Sequence, residues 1–524
     1  MPISFANIPA NIKVPLYWVE IDPSMAGLPT INLRALLAGV MTADGNAPHD
    51  IALPIGSQAQ ADAAFGEGSE LSRMFKAFFA NNFANEVWGL PLQEPTGASA
   101  GVGTIGITDA PTAAGTIHLY IAGDHVPVNI STTDTTATIA QAITDAINAD
   151  VTLPVTAAVS APGGSDVDLT STFKSVNANE ITVSLNYYGS RGGEQTPVGL
   201  GITLPVNGVL TGGVGTPDFD TAIMNLGEEP FEYVAMPYTD SDSLFAWDQE
   251  FGFTDQGRWG WQRELFGHVF SAKRGTYADL LLFGDQYNSG VESIMAFEVA
   301  SPSPSFEWTA AYTAKAQRAL INDPARPLQA LSLNQIKAAP IHQRFDFVEI
   351  NSLASNGLAI QKIGSDNQPM IAREQTTYQL NLYGQPDDAY ELVTTLATLA
   401  KVLRNQKQAI TSKYPRHKLA DDGTKFGPGQ AIVTPGIIKA ELVSEYQQDM
   451  YNGLVENLAA FKQYLIVERD DNDPNRVNVL YPPDLINQLR IFAVLAQFRL
   501  QYDRGIDTQI IGQAQPPYNA ASGL

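Results

Sequence analysis

Hydrophobic and polar positions along this chain follow two rhythms, and the changes between them mark its elements. "GTIHLYIAGDHVPVNI" (115–130) alternates at period two on either side of Gly123-Asp124, which predicts two strands joined by a turn. "DTTATIAQAITDAINA" (134–149) shifts to helical spacing, with Ile139, Ala142, Ile143 and Ile147 on one face and Asp134 placed as the N-cap. Strand text returns in "VDLTSTF" and "EITVSLNYY". Beyond it, "EEPFEYVAMPYTD" contains a strand, and "SDSLFAWDQEFGF" a helix capped by Ser241 or Asp242. The clearest helical signal is "PDDAYELVTTLATLAKVLRNQ" (386–406). It has Pro386 at its start, acids in its first turn, and Leu392, Leu396, Leu399 and Leu403 at 3–4 spacing. A second helix is predicted around Met450, Leu454, Leu458 and Phe461. "YLIVERD" and "RVNVLYP" flank "DNDPN" as a hairpin with a longer loop. "QLRIFAVLAQFRLQYD" (488–503) fits either a strand or a buried helix, and the strand is favoured.

With 524 residues the chain exceeds what one hydrophobic core supports, so several domains of mixed α/β (α+β) character are expected. Composition breaks near residues 94 and 217. Between those points Gly, Ala, Thr and Val dominate, Trp is absent, and Lys174 and Arg191 are the only strong bases. This predicts a small α/β domain over 95–217, inserted into a loop of a larger one and bounded by flexible Gly-rich joints. The core then comprises 21–94, 218–365 and a C-terminal domain over 366–503. Residues 1–20 and 504–524 read as extended arms with little capacity for a core of their own. Their apolar residues alternate, as Ile3, Phe5 and Ile8 in one and Ile506, Ile510 and Ile511 in the other.

Charge narrows the function classes. A formal charge of −24 argues against unaided nucleic-acid binding and against an anionic membrane surface. The absence of cysteine removes disulfide frameworks, thiol catalysis and Cys-based metal sites. No stretch reaches the roughly 18 apolar residues of a membrane span, and the first residues lack a basic region followed by an apolar one. A soluble protein made in the cytoplasm is expected.

Catalytic patterns occur without their contexts. "GASAG" (97–101) matches a nucleophile elbow at Ser99, but the apolar strand before it and the helix after it are missing. "GVGTIG" (101–106) matches a dinucleotide fingerprint, yet strand-like text follows it; a Gly-rich linker accounts for both. "RDDNDPNR" (469–476) alternates Asp471, Asp473 and Asn475 like a calcium loop. However, Arg476 stands where Gly is required and Pro482 where Glu is, so a hairpin turn fits better. Among His49, His118, His125, His268, His342 and His417 no H-x-x-x-H pair exists, and His118 and His125 are expected on a strand surface. The reading is therefore no catalytic residue, no metal and no cofactor. The aromatic run 245–266 fits buried core and interface better than ligand stacking.

One charge feature stands apart. Lys401, Arg404, Lys407, Lys413, Arg416 and Lys418 are six strong bases with no acid between them, inside an acidic chain. They form either a solvated face with intrachain partners or a docking surface for an acidic partner.

Long idiosyncratic stretches carry a resemblance through nearly the whole chain. They include "ISFANIPANIKVPLYWVEID" at the start, "AFGEGSELSRMF" (64–75), "AGTIHLYIAGDHVPV", "LPVTAAV", "ARPLQALSL" and "REQTTYQLNLYG". The most specific are "KYPRHKLADDGTKFGPGQAIVTP" (413–435) and "GLVENLAAFKQYLIVERDDNDPNRVNVLYPPDLINQLRIFA" (453–493). In these the chain resembles the contractile tail sheath proteins of Mu-like bacteriophages; one departure is Pro15-Leu16, where that family carries Pro-Gly. The resemblance implies a structural, non-enzymatic virion subunit. It implies a homo-oligomer built as a six-start helical array of hexameric rings around a tail tube, with baseplate and tail terminator proteins as further partners. Terminal arms would add strands to neighbouring subunits, and contraction would drive the tube through the host envelope.

Overall fold

The computed structural model describes residues 33–498 and 500. The chain opens with β1 (Ala35–Val40), β2 (Leu53–Pro54), α1 (Gln58–Phe65), α2 (Glu70–Phe79) and β3 (Val87–Leu92). Next come β4 (Ala100–Asp109), β5 (Gly115–Ile121), β6 (Asp124–Ile130), α3 (Thr136–Asn148), β7 (Val155–Val159), β8 (Asp166–Lys174), β9 (Val183–Leu185) and β10 (Gly201–Thr203). The middle stretch holds α4 (Asp220–Leu226), β11 (Tyr233–Ala235), α5 (Ser241–Phe251), β12 (His268–Gly275), α6 (Tyr277–Gly284) and β13 (Glu292–Glu298). It continues with α7 (Ser305–Asn322), α8 (Phe347–Ser355), β14 (Ala359–Ile363) and β15 (Pro369–Arg373). The last part has α9 (Val393–Lys413), β16 (Lys418–Leu419), β17 (Ile432–Val433), α10 (Pro435–Tyr451), α11 (Leu458–Tyr464), β18 (Ile466–Arg469) and β19 (Val477–Leu480). The architecture is mixed α/β.

The principal sheet runs β15-β14-β13-β12-β11-β1-β3-β2. Its six inner strands are parallel, and the edge strands β15 and β2 pair antiparallel. Parallel strands covered on both faces need apolar residues at every position rather than at alternate ones. β1 ("ALLAGV") is apolar and buried at every residue for that reason, and β13 ("ESIMAFE") is buried throughout with an apolar centre and the polar Glu292, Ser293 and Glu298 at its ends. α7 packs on β12 and on α2, and its Ala and Thr residues let it lie close to both.

Residues between β3 and β11 build two smaller sheets, β10-β4-β8-β7 and β6-β5-β9, with α3 packed against both. β5 and β6 form the hairpin expected around Gly123-Asp124, in register Tyr120 opposite His125. α3 buries Ile139, Ile143 and Ile147 as expected, although Thr135 rather than Asp134 caps it, with its hydroxyl accepting from Thr138 N–H. Asp240, likewise, caps α5 in place of Ser241 or Asp242. The Gly-rich text 100–109 is a strand, not a linker: small residues admit close neighbours, and a Cβ at Gly103 would lie 2.7 Å from Leu210.

Buried bonds tie the 95–217 segment to the principal sheet. Where the sheet order reverses, between β1 and β11, α/β folds leave a crevice beyond the strand carboxyl ends. Here Glu70 occupies that region. Its carboxylate accepts from Val40 N–H (3.0 Å), from the Tyr238 hydroxyl (2.5 Å) and from Asn177 Nδ2 (2.6 Å), a residue of the 95–217 segment. Burial pushes the Glu70 carboxyl up, against these three hydrogen bonds. Nearby, Arg274 Nε donates to Glu180 (2.7 Å) while its guanidinium also reaches the Ser301 and Ser303 carbonyls. One apolar cluster runs continuously from the principal sheet into the smaller ones.

A second core lies in the C-terminal part, around Val402, Val433, Ile438, Leu442, Tyr446, Leu454 and Phe461. α9 serves both cores, with Val393 and Leu396 in the first and Val402 in the second. This helix starts seven residues after Pro386 and runs to Lys413, a correction to the expected 386–406. Residues 386–392 are drawn instead into pairing with 375–380. Leu392 bridges Gln375, Leu380 bridges Pro386, and Asp387 accepts the Tyr378 hydroxyl (2.5 Å). The helix expected around Met450–Phe461 is also corrected. α10 ends at Tyr451, Gly453 and Asn457 adopt left-handed backbone (φ 74° and 54°), and α11 begins at Leu458. The β18–β19 hairpin forms as expected.

Residues from Gln488 onward make up a separate unit. Within its described part no hydrogen-bonded strand forms, contrary to the strand expected over 488–503. A strand exists only where an edge accepts it, and sequence period cannot supply the edge.

Candidate functional site

The basic run lies on α9 and the loop after it. An α-helix turns every 3.6 residues, so Lys401, Arg404 and Lys407 follow one another along one side. Arg404 donates to Glu232 Oε1 (3.2 Å) and lies over the Phe266 ring, its Cζ 5.4 Å from the centroid. Glu232 is buried, and that burial, outweighing the pull of Arg404, pushes its carboxyl up to about 7. Lys407 pairs with Glu264 (2.5 Å), and Lys413 with Glu441 (2.5 Å), which also accepts the Tyr414 hydroxyl (3.2 Å). Lys418 Nζ reaches only Gln430 Oε1 (3.1 Å), a neutral partner. Lys401, Arg416 and Lys418 are exposed, and among the described residues none of the three has an ion pair. Three of the six bases are thus committed to ion pairs within the chain, Lys401 lies in the field of Asp449 and Glu445, and Arg416 and Lys418 are left to present their charge outward.

Two short devices shape the loop from Lys413 to Gln430. Asp421 accepts from Arg469 Nη1 (2.9 Å), and Asp422 accepts the Gly436 N–H (3.0 Å) in the first turn of α10. Gly423 and Gly429 take left-handed backbone (φ 83° and 78°), which returns the chain from β16 to pair with β17 in parallel. His417 stacks edge-on to Tyr414, with no nucleophile beside it among its described contacts.

A cavity of about 650 Å³ opens beside α9, lined by Glu232, Tyr233, Trp259, His268, Lys401 and Arg404 among others. Burial alone drives the His268 imidazole down to about 3, so it is neutral at physiological pH. Sequence spacing gave no sign of this cavity, because its walls come from strands and helices far apart in the chain.

The remaining sequence candidates resolve as follows. The Ser99 hydroxyl donates to the Gly212 carbonyl (2.5 Å), and Ser99 bridges Val214 on a sheet margin, with strand rather than helix following. Asp470, not the 471/473/475 series, organises the 469–476 turn. It accepts from Asn478 Nδ2 and from the N–H groups of Asp473 and Asn472, which hold its carboxyl down at about 2. His118 and His125 do lie on neighbouring strands, but against each other and beside Glu194. In the 245–266 run Trp247 and Phe251 are buried, whereas Phe245 and Trp261 are exposed. Ile3, Phe5, Ile8, Ile506, Ile510 and Ile511 lie outside the described residues. Just before the second set, Leu489, Ile491, Phe492, Val494, Leu495 and Phe498 are all exposed, an apolar surface uncommon on a soluble monomer. Among the described residues no helix is long and apolar enough to cross a membrane.

Comparison with known proteins adds three findings. Residues 385–499 match the family model of the phage tail sheath C-terminal domain. Over 503 residues the chain is 39% identical to the Mu-like prophage FluMu tail sheath protein of Haemophilus influenzae (strain Rd), covering 95% of this chain and all of that protein. Among solved structures, a sheath tail protein from Desulfitobacterium hafniense aligns with TM-score 0.46 and 11% identity, over 91% of this chain and 97% of that one. The sheath complex of an extracellular contractile injection system in its contracted state aligns with TM-score 0.43 and 9% identity, over 94% and 98%.

Proposed function

Since this chain belongs to the tail sheath proteins of Mu-like phages, we propose that it polymerises as a six-start helix of hexameric rings around a tail tube and contracts to drive that tube through the host envelope. The carrying observation is the identity of 39%, which extends along the full length of the sheath relative and is not confined to one domain. No chemistry on a substrate is needed for this role.

The physical scheme is a polymer with two packings. A heterologous contact that does not close on itself propagates as a helix. The terminal arms, with Ile3, Phe5 and Ile8 at one end and Ile506, Ile510 and Ile511 at the other, add strands to the sheets of neighbouring subunits. Main-chain hydrogen bonds give that contact strength, and alternate side chains give it register. The exposed apolar side chains from Leu489 to Phe498 support this reading, because in an isolated subunit they have no role in a core. Contraction releases the free-energy difference between packings, with subunits moving as near-rigid bodies and the arms absorbing the backbone change. The buried bonds between the 95–217 segment and the principal sheet favour a segment that travels with its core. Arg416 and Lys418 are the bases most available to an acidic face of the tube, Lys401 sharing its charge with Asp449 and Glu445. Baseplate and tail terminator proteins meet the two ends of the polymer, and the site of action is the virion tail, after synthesis in the host cytoplasm.

The test is removal of residues 506–524, followed by electron microscopy of the purified protein. Loss of striated tubular polymers, with retention of a folded subunit by circular dichroism, is the expected result. Normal polymers from the shortened chain refute the arm scheme.

A further inference from the structure

The β5–β6 hairpin carries a constellation that the proposed function does not use. His118 on β5 and His125 on β6 face the same side, with His118 Nδ1 3.0 Å from His125 Nε2. Glu194, from the loop that follows β9, brings Oε1 to 3.9 Å from His118 Nδ1. The three ligand atoms all lie within 4.8 Å of one another.

We propose that His118, His125 and Glu194 form a binding site for a first-row divalent cation of the zinc type, with two imidazole nitrogens and one carboxylate oxygen as ligands. Nitrogens each about 2.0–2.1 Å from a tetrahedral ion lie roughly 3.3–3.4 Å apart. The observed imidazole pair is within a few tenths of an ångström of that separation, and the carboxylate needs to close by about half an ångström toward His118, with His125 tilting toward both. The two rings are near-parallel (8°), so an ion sitting off the line between the nitrogens requires each ring to tilt. His125 is exposed and His118 half-buried, which leaves room for that tilt.

The surroundings hold the carboxylate ready. Glu194 is buried, its Oε1 accepts the hydroxyl of buried Tyr120, and its Oε2 accepts the Tyr188 N–H (2.9 Å). Hydrogen bonds of this kind orient a ligand and raise its worth to the metal. Two neutral imidazoles and one carboxylate suit zinc, cobalt, nickel or copper better than calcium or magnesium, which take oxygen ligands. One charge opposes the site. The Lys337 ammonium lies 5.2–5.7 Å from the ring centroids of Tyr120, Tyr187 and Tyr188, close enough to weaken binding without blocking the ligands. Remaining coordination positions are left to water. A bound ion ties the hairpin to the loop that carries Glu194.

The sequence hid this site because Glu194 is 74 residues beyond Tyr120, the residue whose hydroxyl holds it. The test uses full-length protein titrated with Co²⁺, read by the visible absorption of a tetrahedral complex, and with Zn²⁺, read by thermal upshift. One equivalent is expected to bind. His125→Ala, a change at an exposed position, should weaken binding by at least about tenfold, and Tyr120→Phe should weaken it by about tenfold through the carboxylate it positions. His342→Ala should leave binding unchanged. Unaltered affinity in a His118→Ala/His125→Ala variant, or no saturable binding by the wild-type protein, overturns the proposal.

Discussion

Arg73 offers the sharpest quantitative test of how the 95–217 segment is held. Its side chain is 3% exposed, on α2. Nε donates to Glu307 Oε1 of α7 (2.7 Å), and Nη1 donates to Asp124 Oδ2 (2.8 Å) and to the Thr152 carbonyl (3.0 Å). Burial acts to pull the guanidinium down, but Glu307 and then Asp124 more than offset it, and its pKa is raised. Arg73→Met keeps the volume and removes the charge. Asp124 keeps Lys76 (2.9 Å) and is a third exposed, so the loss there is small. Glu307 is 9% exposed in its side chain and has no such substitute among its described ion pairs, so the cost falls on it. Breaking a buried pair from one side costs about 3–5 kcal/mol. In a cooperative unit of a few hundred residues, this corresponds to a fall in Tm of roughly 6–20 °C.

The pH dependence gives a second check on the same variant. Burial already raises the Glu307 carboxyl against the opposing pull of Arg73, and without Arg73 it rises further. A carboxyl with a raised folded pKa binds a proton in the fold that the unfolded chain releases. Stability is therefore lost as pH rises through the folded value and recovered as pH falls below it. The deficit of Arg73→Met should be largest at neutral pH and shrink toward pH 5, and Glu307→Gln added to it should recover at least half. Urea unfolding of dispersed subunits, followed by tryptophan fluorescence at several pH values, measures both. A variant within about 1 kcal/mol of wild type at neutral pH, or a deficit independent of pH, refutes the reasoning.

His268 should make the protein acid-sensitive. Its folded pKa, about 3, lies below the ordinary value of 6.5, so stability is complete above pH 6.5. It is then lost at up to about 1.4 kcal/mol per pH unit down to pH 3, and His268→Gln should flatten that slope in acid unfolding curves. Glu in place of Arg416 and Lys418 together should impair assembly on purified tubes while tube-free polymers persist in sedimentation; equal assembly on tubes rules out docking through these bases. Arg404→Glu should instead destabilise the subunit itself, since it sets two acids against each other at buried Glu232, with the loss read by thermal unfolding. Leu442→Ala empties part of the C-terminal core, at about 2–5 kcal/mol. It should raise hydrogen exchange across α10 and α11 while the parallel sheet stays protected, because the two cores are separate clusters.

Local pattern was enough wherever an element's partner lies next to it in the chain. The β5–β6 hairpin, α3 with its Ile139–Ile143–Ile147 face and the β18–β19 hairpin were all legible, since short loops and side-chain period fix register together. Family membership was legible as well, because long particular stretches survive in a relative where no single motif does. Pattern failed where distant residues competed for the backbone. Pro386 and two acids announce a helix, but pairing with 375–380 claims those residues and delays α9 to Val393. Apolar spacing continues through Leu454 and Leu458, yet left-handed Gly453 and Asn457 break the helix so that Leu454 and Val455 can enter the second core. In the basic run, composition shows six like charges, while only tertiary placement shows which of them are neutralised: Glu232, Glu264 and Glu441 come from three other parts of the chain. The sequence by itself determined the repeating apolar faces, the lack of cysteine in this chain and the kinship. Which charges stay free, what fills the crevice beside β1, and the meeting of His118 and His125 with Glu194 were decided by the tertiary structure. Each depends on the distance between groups far apart in the chain, which local spacing does not encode.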